Sequence, residues 1–345
     1  MATKKISELV AADALGDTDL LPVVQAGVSK KATVEQMRAA VFTPFLLRQH
    51  YAERIFTASK SGSTVTITST QPFQVLGKVW QGGQVLASGS VTNGSDHSLL
   101  YNSDTKVFSL SSNFNPALPL HLVGGLHIYG NGDLAVNSIW DQGFRPACPN
   151  PRGMVYSNLQ NKWGDIYLLG VNHITDGTSR YGVTIADGAA PPKIPVIYGG
   201  NGSAAYSRMG YFETRDVLDS HGKFMPDIGL FASFANGSAL GTSIGSDPVT
   251  TGHSVGYRSA VGIEQATGHL WIWSREQSAV DSANTWHDMG TGRGNWYGGY
   301  FRTALLGAYW GHGSGSGPDS VNWGSAPTNS SAVIGGRGFS DHLVG

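Results

Sequence analysis

Cysteine is nearly absent. Cys148 is the only one in 345 residues. A lone thiol excludes an internal disulfide framework and any cage of cysteine zinc ligands. Charge is scarce too: charged residues make up 14% of the chain, against a usual share of about a quarter, and the net charge is −1. Such neutrality excludes the basic footprint of a nucleic-acid binder. No apolar run approaches the ~18 residues that a membrane span requires. Met1-Ala2-Thr3-Lys4-Lys5 leads into a polar, acidic stretch instead of the apolar core of a signal peptide, so synthesis in a cytoplasm is expected. The strong metal signatures His-Glu-x-x-His and Cys-x-x-Cys do not occur, nor does a phosphate-cradling Gly-x-x-x-x-Gly-Lys loop.

Glycine and tryptophan are abundant, and they gather at the end. The chain holds 47 glycines and nine tryptophans, and six of the latter are Trp271, Trp273, Trp286, Trp296, Trp310 and Trp323. Glycine costs about 1 kcal/mol per helix position, so this region is not one long helix. It is too aromatic for a flexible linker. A compact, loop-rich domain pinned by buried indoles is expected, and loops on a rigid scaffold are where recognition usually sits.

The rest of the chain divides by pattern. In residues 1–48, Thr33 and Gln36 form a capping box for a helix over 34–41, and the segment is too short to bury a core alone. Residues 49–137 read as a small β-sandwich. Thr64–Thr68 alternates with period two. Val75–Trp80 and Gln84–Ala87 flank Gln81-Gly82-Gly83 as a hairpin, and Lys106–Leu110 and His121–Tyr129 add strands. Beyond Ile139 the composition turns irregular. Asp165–Val171 reads as a buried strand. Tyr211–Ser220 suits a helix stopped by His221-Gly222, and Pro226-Asp227 begins another carrying Ile228, Leu230, Phe231 and Phe234. Past Asn236-Gly237 loops and short strands are expected. No period of 20–50 residues recurs.

Candidate chemistry is thin. Glu213, Asp216 and Asp219 are the nearest approach to the paired carboxylates of a glycosidase, but their spacing suits a solvated helix face. His173, beside Asn172, is expected to satisfy a turn. Asp176-Gly177, Asp187-Gly188 and Asp247-Pro248 are turn signals whose oxygens would also suit a structural Ca2+, although no contiguous EF-hand loop exists. Nothing in the sequence requires a cofactor.

Two resemblances complete the reading. Gly268-His269-Leu270-Trp271-Ile272-Trp273-Ser274, Gly292-Arg293-Gly294-Asn295-Trp296 and Gly335-Gly336-Arg337-Gly338-Phe339 resemble landmarks of a C-type lectin fold of the formylglycine-generating-enzyme type. Those enzymes carry a reactive cysteine pair that is missing here, which removes the oxidase chemistry. A closer likeness runs from Ile139 to the end, through Phe144-Arg145-Pro146-Ala147, Pro151-Arg152-Gly153-Met154, Asp165 to His173, Val183 to Gly188, and Asp341-His342-Leu343. These strings are similar to the major tropism determinants, receptor-binding proteins that a phage diversifies with a retroelement. The N-terminal Lys5-Ile6-Ser7-Glu8-Leu9, Asp19-Leu20-Leu21-Pro22-Val23-Val24-Gln25 and Lys30-Lys31-Ala32-Thr33 resemble tail-fibre attachment segments.

The resemblance implies an α+β fold, mostly β and loops: a docking segment (1–48), a β-sandwich (49–137) and a C-type lectin domain (138–345) with a variable region at 305–334. It implies a homotrimer at a phage tail tip or tail fibre, mounted on tail or baseplate proteins through 1–48. The partner it implies is a host-cell surface receptor, protein or glycan, with neither nucleic acid bound nor membrane inserted. Receptor-facing positions carried over by motif are Tyr309, Gly311, His312, Gly313, Gly315, Asn322, Gly324, Ser325, Asn329, Ser331, Val333 and Ile334, with Trp310, Trp323, Trp296 and Arg337 as scaffold. Retroelements of this kind mutate adenines in AAC-type codons, which can become Asn, Tyr, His, Ser, Gly, Val or Ile, and all twelve positions carry permitted residues. A non-catalytic receptor-binding protein is the expected function. The alternatives are a tail-associated glycan-degrading enzyme and a bacterial or prophage surface-display lectin.

Overall fold

A computed structural model describes residues 20–25, 28–33, 46–50, 52–288 and 295–343. Near the start, β1 (Leu20–Gln25) and β2 (Val28–Thr33) pair as an antiparallel hairpin with Gln25 opposite Val28. The helix expected over 34–41 lies outside the described residues.

Three sheets build the sandwich. β3 (Leu46–Arg48), β6 (Phe73–Val75) and β7 (Lys78–Trp80) form the smallest. β4 (Phe56–Ser61), β5 (Thr64–Ser69) and β8 (Val85–Ser90) form the second. β9 (Ser95–Asn102), β10 (Val107–Ser111), β11 (Leu120–Ile128) and β12 (Leu134–Asp141) form the third, in the order β10-β9-β11-β12. Alternation decides the layering: Val65 and Ile67 turn inward from β5 to meet Phe56, Leu99, Tyr101, Val123, Leu126 and Ile128 in one core. Each such side chain contributes about 1.5–3 kcal/mol when fully buried. The two larger sheets touch at both edges, β8 against β10 and β4 against β12. Gly124 permits the close crossing of β11 and β12, since a Cβ there would lie 2.3 Å from the Trp140 carbonyl oxygen.

The expected hairpin at Gln81-Gly82-Gly83 is corrected. The run Val75–Trp80 breaks at Leu76-Gly77, whose φ values of 44° and 84° form the tight turn, and Phe73 pairs with Trp80. Gln81 to Gln84 instead crosses between sheets. Ser69 holds it, its Oγ donating to the Gln81 oxygen (2.6 Å) and its own carbonyl accepting Gly83 N–H (2.8 Å).

β12 continues through residue 137 to Trp140 and Asp141. There Trp140 packs with Phe144, Cys148, Met154 and Trp163. The lectin part has two sheets. β13 (Met154–Ser157), β14 (Lys162–Asp165) and β19 (Phe339–Asp341) form one; β15 (Trp271–Asp288), β16 (Asn295–Leu306), β17 (Val321–Ser325) and β18 (Ile334–Gly335) form the other, in the order β17-β16-β15-β18. Among the described residues three α-helices accompany them: α1 (His173–Asp176), α2 (Tyr211–Ser220) and α3 (Ile228–Ala235). Asp227 caps α3 by accepting Leu230 N–H at 2.7 Å. Leu230, Phe231 and Phe234 then bury against Ile166, Tyr167 and Leu168.

Other expectations change here. β15 and β16 are long, not short, strands. Ile166 to Leu169 is buried but irregular, because its backbone groups are satisfied one at a time: Ile166 N–H by Gly153 (2.8 Å) and Leu169 N–H by Gly336 (2.9 Å). The carbonyls of Asp165 and Ile166 accept from the fully buried Arg337 at 2.7 and 2.6 Å. Of the three acids expected on a solvated face, only Asp219 is exposed; Glu213 and Asp216 are 4% and 6% exposed. The Glu213 carboxylate accepts Gly210 N–H at 3.0 Å at the head of α2 and faces Arg208 at 3.3 Å, while Asp216 pairs with Arg215 at 3.1 Å.

Candidate functional site

β16 ends in the core at Leu306. Gly307 and Ala308 then adopt left-handed backbone, φ 85° and 69°, and turn the chain outward. Tyr309 follows, half-buried against the cluster of Trp271, Trp273 and Leu305. Trp310 is fixed on both sides of its backbone: its N–H donates to His269 O and its carbonyl accepts Gly245 N–H, both at 2.9 Å. Its ring is half-buried against the core that contains Phe231. His269 is part of that footing. Burial lowers its pKa to about 4, and its neutral ring lies 2.8 Å from the Thr267 carbonyl and 2.9 Å from Ser254 Oγ.

Residues 311–315 are exposed, yet the backbone of this turn is held. His312 N–H reaches Tyr309 O at 3.0 Å, Gly313 N–H reaches Ser243 Oγ at 3.0 Å, and Ser316 O accepts Gly241 N–H at 2.9 Å. After β17 the chain is fastened again. Pro327 O accepts Tyr211 N–H (2.9 Å), Ser330 Oγ accepts Met209 N–H (3.0 Å), Ser331 O accepts Gly188 N–H (3.0 Å) and Val333 O accepts Trp271 N–H (2.9 Å). Backbone fixed by bonds to other segments keeps its course when its side chains change.

Seven of the twelve carried-over positions are exposed: Gly311, His312, Gly313, Gly315, Asn322, Gly324 and Asn329. Tyr309, Ser331 and Val333 are half-buried. The structure does not bring Ser325 or Ile334 to the surface; they are 8% and 4% exposed. Ile334 bridges to Trp271 in β18 and joins its core cluster. Trp323 was expected to be buried but is 38% exposed, because β17 is the edge strand of its sheet. Trp286 is exposed as well. The Trp296 side chain lies outside the described residues, as do residues 292–294. Arg337 braces the base, its second guanidinium nitrogen reaching Glu264 O at 2.6 Å.

Trp271, expected as a buried indole but not as part of the surface's scaffold, also supports it. The His312 ring stands edge-on to Trp271, centroids 5.2 Å apart, and Val333 and Ile334 pack around it. Its signal was the apolar run Leu270 to Trp273 leading into β15. Gly241-Thr242-Ser243-Ile244-Gly245 has the spacing of a hydrolase nucleophile elbow, yet it lies in a loop without the strand-turn-helix that such a serine needs. Its Ser243 hydroxyl instead holds Gly313.

Among the described residues no three His, Cys, Asp or Glu side chains converge as metal ligands. The turn acids are engaged locally. Asp187 Oδ1 accepts Ala189 and Ala190 N–H at 2.6 and 2.7 Å, and Asp247 Oδ1 accepts Val249 N–H at 3.0 Å. Buried His173 lies 2.9 Å from His221 and 2.7 Å from the Lys193 carbonyl. A cleft of about 580 Å³ opens between Arg54, Phe144, Tyr156 and Leu159, and none of the twelve positions lines it.

No protein-family model matches the chain. It is 37% identical over 310 residues to the tail fiber receptor-binding protein of Bordetella phage BPP-1, across 82% of this chain and 81% of that protein. Two solved structures, the I1 and U1 variants of Major Tropism Determinant, are each 34% identical with a TM-score of 0.80. They match 89% and 91% of this chain, and 88% and 89% of their own. The chain belongs to the major tropism determinant family. The mostly-β architecture with a C-type lectin fold agrees with that membership. Major tropism determinants are receptor-binding proteins of the phage tail, and this chain is one of them.

Proposed function

We propose that the surface carrying Tyr309, Gly311, His312, Gly313, Gly315, Asn322, Gly324, Asn329, Ser331 and Val333 touches the host receptor, with Ser325 and Ile334 shaping it from beneath. The exposure of seven positions on a backbone bonded to atoms of other segments supports this reading most directly. Specificity can then change while stability holds, since surface substitutions usually cost less than about 0.5 kcal/mol. A retroelement acting on the codons of these positions would exploit that freedom. The sandwich at 49–137 spaces the lectin part at 138–345 from residues 1–48, which dock on the tail.

The job is attachment, with no bond broken and no cofactor needed. Glu213 and Asp216 are committed to neighbours within and beside α2, so they are poorly placed for glycan cleavage. The face offers mainly Gly, Asn, Ser and His, whereas binding hot spots favour Trp, Tyr and Arg. Each copy therefore binds weakly, and a homotrimer on a repeated receptor gains ~10²-fold or more by avidity.

Phage carrying the triple change His312→Ala, Asn322→Ala and Asn329→Ala should lose host adsorption with the purified protein's unfolding temperature unchanged. Undiminished adsorption by a correctly folded triple variant would refute the assignment. So would hydrolysis of host-envelope glycan that stops on Glu213→Gln.

A further inference from the structure

Three exposed glycines share a property that other glycines around the face lack. A Cβ built on Gly311 would lie 2.9 Å from Tyr309 Cε2. On Gly315 it would lie 2.6 Å from His312 Cδ2 and Nε2. On Gly324 it would lie 2.9 Å from Asn322 Oδ1. All are nearer than van der Waals contact allows, so something must give. In each case the obstacle is the outer part of a side chain on the same face that is not fully buried, and such a side chain can change rotamer. Nearby glycines meet atoms that cannot move: Gly188 the Ser331 backbone nitrogen at 2.2 Å, Gly210 the Pro327 oxygen at 2.8 Å, and Gly307 the buried Phe231 ring at 2.6 Å.

We propose that the face works as three coupled pairs, 309 with 311, 312 with 315, and 322 with 324. Within each pair the smallness of one residue admits the present position of the other. Receptor specificity is set by the pair, not by either residue alone. The inference rests on the receptor-face reading above.

The consequence differs among the pairs. With glycine at 315, the His312 ring can stand against Trp271, 5.2 Å between centroids; any side chain at 315 drives it off that support. With glycine at 311, the Tyr309 ring stays near Trp310 (5.5 Å) and His312 (5.8 Å), so the first two pairs also meet. The third pair is polar: Asn322 Oδ1 accepts Gly324 N–H at 2.7 Å, and a Cβ at 324 crowds that oxygen. Gly313 belongs to no pair, since nothing lies within 4 Å of its Cβ position.

Crystal structures of Gly311→Ser, Gly315→Ser and Gly313→Asn test the pairing without any receptor. The first should swing Tyr309 and the second His312 to new rotamers with the backbone in place, and the third should move neither ring. Rings that stay put, or a backbone that shifts instead, overturn it. Host adsorption supplies the second arm. Gly315→Ser should lower adsorption several-fold beside His312 and change it little in a His312→Ser background. Additive effects of the two substitutions also overturn the pairing. If the rings move as expected while no variant alters adsorption, the receptor-face reading falls and the specificity claim falls with it.

Discussion

Residues 311–315 and 334–340 lie within thirty positions of each other and look alike in sequence: Gly-His-Gly-Ser-Gly against Ile-Gly-Gly-Arg-Gly-Phe-Ser. Every residue of the first is exposed, and every residue of the second is buried. In the second, glycine is needed because its neighbours are fixed. A Cβ on Gly338 would lie 2.6 Å from Asp165 Oδ2, whose carboxylate also holds Lys223 at 2.5 Å, and one on Gly336 would lie 2.7 Å from Thr214 Cγ2. In the first, the neighbours are side chains that can swing aside. The same residue type thus marks a constrained and a permissive stretch of the domain. What separates them is whether the atoms opposite can yield.

The contrast breaks most readily at Arg337. Replacing it with Met should destabilise the protein by about 3 kcal/mol or more in denaturant unfolding, because the carbonyls of Asp165, Ile166, Glu264 and Gln265 lose their donor. His312→Ala should cost less than about 0.5 kcal/mol. Equal losses would erase the distinction. Acid probes the footing next. His269 is held at about 4 by burial, below its unfolded value near 6.5, so folding favours the neutral ring. Its contribution is complete above pH 6.5 and is lost as pH falls towards 4. Stability should therefore drop across that window, and His269→Gln should remove up to about 1.4 kcal/mol per pH unit from the slope. An unchanged slope would show that the ring is not held neutral.

Alanine scanning of glycines sharpens the comparison further. Gly338→Ala should cost about 1–3 kcal/mol through overpacking against Asp165, Leu218 and Lys223. Gly311→Ala should leave the unfolding midpoint nearly unmoved, and a matching loss there would contradict the yielding neighbour. The smallest effect separates two substitutions at one exposed site. Gly313 has φ 60°, a left-handed backbone that Asn tolerates and β-branched residues resist. Gly313→Val should be about 1–2 kcal/mol less stable than Gly313→Asn, and equality would mean that the loop relaxes.

Sequence pattern exposed what depends on near neighbours. The period-two run at Thr64–Thr68, the Asp227 cap of α3 and the stop at His221-Gly222 all follow local rules, and all stand in the structure. What stayed hidden depends on distant partners. Leu76 adopts a positive φ that its residue type disfavours, so the hairpin was expected one turn too late. Ile166 to Leu169 looks like a strand until Gly153, Gly336 and Arg337 supply its bonds from far along the chain. Glu213 looked solvated because the Gly210 amide it accepts and the Arg208 it faces sit just ahead of α2, where a helical wheel does not reach. Trp323 looked like core because indoles usually are, but an edge strand carries it outward.

Synthesis runs from the N-terminus onward, and the strand that completes the β13-β14 sheet is made after the 309–333 stretch. Phe339 to Asp341 pairs with β14, and Arg337 knits together carbonyls made about 70 and 170 positions earlier. A message interrupted anywhere inside the 309–333 stretch therefore yields a polypeptide without its final fastening. Because Arg337 and β19 lie downstream of residues 309–333, the backbone there gains that support only after both have been made.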